Sequence, residues 1–71
     1  MARVLGNKRE DQKVLERRVR AVVKGAKPHG VTIALFLRDQ DNRKHVVEAR
    51  GGWDDARTVA RQYVEAGYVP G

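Results

Sequence analysis

Two breaks, Pro28-His29-Gly30 and Gly51-Gly52, cut this chain into three stretches, and the hydrophobic period changes at each of them. Proline withdraws a backbone donor and pushes the residue before it out of helical geometry, while glycine weakens helix and strand alike. No regular element is expected to run through either point. Before the first break Leu15, Val19, Val22, Val23 and Ala26 recur at the spacing of one helical face. Asn7 stands three residues ahead of Glu10 and forms a capping pair with it. A first helix is therefore expected over about 8–26.

Between the breaks the chain turns to β-formers. Val31 to Arg38 and Lys44 to Arg50 read as two strands joined through the polar stretch Asp39-Gln40-Asp41-Asn42-Arg43, a β-hairpin. Pairing Leu37 with His45, Leu35 with Val47 and Ile33 with Ala49 puts every strong apolar residue except Phe36 and Val46 on one face. That register leaves a three-residue loop, Gln40-Asp41-Asn42, whose last residue takes the left-handed conformation that Asn tolerates. After the second break Trp53, Ala56, Val59, Ala60, Tyr63 and Val64 form a second helical stripe over about 54–66. Asp54 is expected to cap it, Asp55 suits its positive end, and Gly67 stops it, with Tyr68 folding back on Val64.

The expected fold is a single α+β domain, a two-layer α-β-β-α arrangement in which an antiparallel hairpin is packed by two amphipathic helices. A chain of 71 residues has a thin core, and with no cysteine it has no disulfide to compensate. A two-stranded sheet is also marginal alone and leaves edges open. Strand-to-strand pairing of two copies into a four-stranded sheet carrying four helices would bury those edges, so a homodimer is expected. The missing cysteines, the lack of a membrane-length apolar run, and first residues without the apolar stretch and small-residue site of a signal peptide read as a soluble cytoplasmic protein.

The net charge of +6 lies entirely within residues 1–27, which hold nine Lys or Arg against three acids. At roughly 100° per residue, Lys13, Arg17, Arg20, Lys24 and Lys27 fall within about 80° of one another, opposite the apolar stripe. Such a ridge matches a row of phosphates and needs no base readout. A solvated basic helix face would look the same. A second candidate surface is the outer hairpin face, where Arg38 and Lys44 flank Phe36 and a base could stack between phosphate contacts. Phe36 and Val46 could equally mark a dimer contact or lie under a helix.

Catalysis finds little to work with. Neither serine nor cysteine is present, and His29 and His45 have no obvious nucleophile beside them. Asp39-x-Asp41-Asn42 opens like a calcium loop, but Arg43 and Lys44 occupy positions that need oxygen and glycine. No cofactor or metal is expected, and the chain reads as a non-enzyme.

Helix, hairpin and helix in this order are similar in outline to the double-stranded-RNA-binding domain, and a hairpin followed by one helix resembles the arm-type DNA-binding domain of phage integrases. Both families use three strands. In the first the last helix also begins with basic residues, where this chain has Trp53-Asp54-Asp55. No distinctive motif carries either resemblance, so neither family is assigned. The reading that results is a small nucleic-acid-binding protein, accessory, architectural or regulatory, that grips DNA or RNA phosphates through its first helix. The alternative is an inhibitor or adaptor whose basic helix docks on an acidic protein; a membrane-surface role fits less well, because the helix lacks an aromatic anchor.

Overall fold

The computed structural model describes the backbone of residues 2–71 and the side chains of residues 12–71. Its elements run α1 (Ala2–Gly25), β1 (Lys27–His29), β2 (Thr32–Arg38), β3 (Lys44–Ala49), α2 (Gly52–Glu65) and β4 (Val69–Pro70). This is the expected α+β architecture with two strands added. β2 is the central strand: β3 pairs along one side of it, while β1 and β4 share the other, all antiparallel.

The hairpin register is as read from the pleat, with Ile33 opposite Ala49, Leu35 opposite Val47 and Leu37 opposite His45. The loop follows too. Asp39 N–H bonds to Arg43 O and Asn42 N–H to Asp39 O, each at 3.0 Å, and Asn42 has φ 66°. Asp39 organises the turn: its Oδ1 accepts from the backbone N–H groups of Asp41 and Arg43, both at 2.9 Å, and its Oδ2 from His45 Nε2 at 2.8 Å.

The first break is not a loop but a hairpin. Gly30, with φ 65°, turns the chain between β1 and β2, leaving Val31 at the tip, 93% exposed, instead of opening the strand. Proline survives in β1 for a geometric reason. The Asp39–Arg43 bond sets the alternation along β2, so Ile33 directs its backbone groups toward β3, and Pro28 opposite it has its nitrogen facing away from the ladder. Pro70 sits opposite Leu37 in the same way, and the ladder is continued by Gly71 N–H to Phe36 O at 3.0 Å.

Three helix expectations need correction. α1 already runs from Ala2, because nothing before Asn7 breaks a helix except the single Gly6, so Asn7 stands within the helix. The expected capping pair of Asn7 and Glu10 falls on side chains outside the described residues. α2 starts at Gly52 with Gly51 as its cap residue and no side-chain cap bond, so Asp54 falls inside the first turn; Asp55 Oδ2 instead reaches back to Gly51 N–H at 3.1 Å. Trp53 is 47% exposed and outside the core, since it sits in the first turn just after the break. The glycine stop at the other end is as expected. Gly67, at φ 105°, lets its N–H bond to Val64 O and that of Tyr68 to Tyr63 O, the paired bonds of a Schellman stop. Tyr68 folds back to meet the Tyr63 ring edge-on at 5.1 Å and His45 at 5.3 Å.

Both helices pack on one face of the sheet, α1 against β2 and β4 and α2 against β2 and β3. The core joins Val19, Val22 and Ala26 of α1 and the adjoining turn, Ile33, Leu35, Leu37 and Ala49 of the sheet, and Ala56, Ala60 and Val64 of α2. No helix among the described residues covers the opposite face, where Phe36 is 37% and Val46 62% exposed. Among the described residues no helix is long and apolar enough to cross a membrane.

Candidate nucleic-acid interface

The eight residues singled out from the sequence divide between the two faces of the molecule. Lys13, Arg17, Arg20 and Lys24 are all exposed on the helix layer, away from the core stripe of α1. Lys27 leaves the ridge: α1 ends at Gly25, and Lys27 is the first residue of β1, opposite Ala34, on the open face of the sheet. Phe36, Arg38 and Lys44 are on that same open face. Arg38 is half-buried and already engaged, its Nη1 donating to Asn42 Oδ1 at 3.2 Å, while its buried Nε has no protein partner. Lys44 is exposed directly opposite Arg38, with no carboxylate partner among the described residues.

The helix layer holds two cations that sequence reading passes over. Arg57 and Arg61 lie four residues apart on the flank of α2 that meets α1, and with Arg20 and Lys24 they line one groove between the helices. A neighbouring hollow adds Lys13 and Arg17, with Arg20 and Arg61 shared by both. The four-residue spacing is visible in the sequence, but which flank of α2 turns toward α1 is not. Six cations thus face two carboxylates, Glu16 and Glu65.

Glu16 ties the two helices across this groove. Its Oε1 accepts from Arg61 Nη2 at 2.7 Å, and that bond and charge hold the Glu16 carboxyl below its usual range, with Arg20 and Arg57 adding smaller contributions. The same contact raises the Arg61 guanidinium above its ordinary value. Arg61 is therefore partly neutralised within the protein. Lys13, Arg17, Arg20, Lys24 and Arg57 have no carboxylate partner among the described residues.

Two further carboxylates titrate low. The His45 hydrogen bond, followed by the turn N–H bonds, holds Asp39 down, and His29 Nδ1 at 2.8 Å with the Thr32 hydroxyl at 3.1 Å does the same for Glu48. A carboxylate that is more acidic in the folded state contributes stability above its unfolded pKa and loses it as pH falls through the folded one. The melting temperature should accordingly hold from neutral pH down to about 5 and fall below roughly 4, where ordinary carboxylates protonate. Asp39→Asn should start lower at neutral pH and lose less on acidification; thermal melts followed by circular dichroism over this range check both.

With β1 in place, the third strand of the double-stranded-RNA-binding outline is present, although β1 has only three residues and α2 opens on Asp54 and Asp55. No protein family, curated protein or solved structure matches this chain.

Proposed function

We propose that this chain is a non-enzymatic nucleic-acid-binding protein that grips phosphates with its helix layer and reads little or no base sequence. The observation that carries the reading is the groove in which Arg20 and Lys24 of α1 meet Arg57 and Arg61 of α2. One basic helix face is common on any soluble protein. Cations brought from two helices to one groove repel one another, and Glu16 and Glu65 offset that repulsion only in part, so a bound anion would relieve it further. From Lys13 to Lys24 the ridge rises about 16 Å along α1, enough to follow about five nucleotides of one strand. Contacts of this kind position a protein on the backbone and carry no sequence information.

The test is binding to labelled duplex DNA, duplex RNA and single strands over a series of salt concentrations. Five phosphate contacts on duplex DNA give a slope of log affinity against log salt near −4 to −5, roughly −0.9 per contact. The strand type that binds tightest names the substrate. Failure of all three to bind at low salt overturns the reading and transfers the groove to an acidic protein partner, which would use the same cations.

A further inference from the structure

From the free edge of the sheet, we infer that two copies of this chain join through β3, antiparallel and centred on Val46, into one continuous sheet. This goes beyond phosphate binding and does not depend on it.

The edges differ in how they are protected. β1 and β4 are three and two residues long, and each carries a proline. β3 has six residues, no proline and, among the described residues, no strand on its outer side. Its unpaired backbone groups can be assigned. The Asp39–Arg43 bond makes Leu37–His45 and Leu35–Val47 hydrogen-bonded pairs, so His45 and Val47 point their backbone groups at β2. Lys44, Val46 and Glu48 therefore direct their N–H and C=O groups outward. An open edge of this kind is a template for another strand.

Symmetry then restricts the register. In an antiparallel two-fold pairing, opposite residues share a face, so the axis is perpendicular to the sheet and each residue pairs with one an even number of positions away. Centring on His45 sets Lys44 against Val46; centring on Val47 sets Lys44 against Arg50 of the partner subunit, a like-charge pair. Centring on Val46 sets Lys44 against Glu48 of the partner subunit, twice by symmetry, and Val46 against its own copy. Glu48 is prepared for this, because His29 and Thr32 both use its Oε1 and leave Oε2 without a partner among the described residues. Val46, 62% exposed in one chain, becomes the centre of an apolar row running from Phe36 through both valines to Phe36 of the partner subunit. Charges of one sign on an edge would repel a second copy; here opposite signs stand two residues either side of the centre, where a two-fold turns them into attraction.

The expected assembly differs from the one read from the sequence. One chain already holds four strands, so the dimer extends that sheet instead of completing a four-stranded one. All four helices still lie on one side, and the two cationic grooves face the same way.

Sedimentation equilibrium without nucleic acid, at moderate salt, reads the outcome. The unaltered chain is expected as a dimer. Lys44→Glu should raise the dissociation constant by on the order of tenfold or more, since two attractive pairs become repulsive. It should leave the monomer folded, because it replaces a like-charge contact with Arg38 by an opposite-charge one. Val46→Arg should abolish association, and Lys44→Glu combined with Glu48→Lys should restore it. A monomeric unaltered chain, a Lys44→Glu variant that still dimerises as tightly, or a charge swap that folds but stays monomeric would each overturn the inference. None of these measurements involves nucleic acid, so a failed dimer and a failed binding site give separate results.

Discussion

Leu35→Ala is expected to lower the melting temperature by about 12–40 °C, among the largest losses from truncating any one of the described side chains. Leu35 has no exposed surface and lies in the middle of β2, the one strand among the described residues with neighbours on both sides. Removing the buried end of a leucine costs about 3–5 kcal/mol, depending on how far the surroundings close in. They cannot close far here. Ala26, Ala49, Ala56 and Ala60 supply much of the core wall, and an alanine has no rotamer that reaches into a void. A domain of this length has roughly 4–11 kcal/mol of total stability, so the substitution removes a large share of it. At about 4–8 °C for each kcal/mol, the shift is easily read from the far-ultraviolet circular dichroism melt. Val31→Ala at the tip between β1 and β2, 93% exposed, is the control, with an effect expected within about 0.5 kcal/mol. A loss at Leu35 no larger than at Val31 would mean that Leu35 does not lie in the core.

What could be read from the residues was whatever local chemistry dictates. The hairpin register followed from alternation alone, because a slip by one position would have sent Leu35 and Leu37 into solvent. Asn42 and Gly67 were legible because each backbone conformation excludes most other residues. β1 was not legible, since Pro28 reads as a terminator until one knows that its nitrogen points away from β2, and that depends on the hydrogen-bond phase set at Asp39, eleven residues further on. β4 was hidden for the same reason, as Val69-Pro70 is too short to show a period. At the candidate interface the ridge on α1 was visible as a wheel pattern. Its extent was not: Lys27 fits the wheel by arithmetic, yet the helix stops at Gly25 and the lysine goes to the far layer. Arg57 and Arg61 were missed because the packing of α2 on α1, and not any property of α2 itself, decides that they join Arg20 and Lys24.

That packing underlies the second large effect. Replacing Arg20, Lys24 and Arg57 together with Gln should weaken binding to duplex nucleic acid by on the order of 10²–10³-fold at about 0.1 M salt, with little change between unrelated sequences. Each phosphate contact contributes about 0.9 to the salt slope, equivalent to a factor of roughly eight between 1 M and 0.1 M salt, and three contacts multiply. The slope itself should flatten by about 2.7, a change that a merely unfolded variant would not produce in the same form. Folding is expected to be retained or slightly improved. All three side chains are exposed, none has a carboxylate partner among the described residues, and their mutual repulsion is relieved. Arg61 is left in place because its bond to Glu16 holds α1 to α2, so that removing it would mix a structural loss with a binding loss. The comparison that decides between the two layers is Lys27 and Arg38 replaced with Gln on the open sheet face. If the helix groove is the contact surface, this pair changes the slope by almost nothing while the triple replacement removes more than half of it. If instead the sheet-face pair flattens the slope and the helix triple does not, the phosphates lie across Phe36, and the groove between the helices serves some other anion.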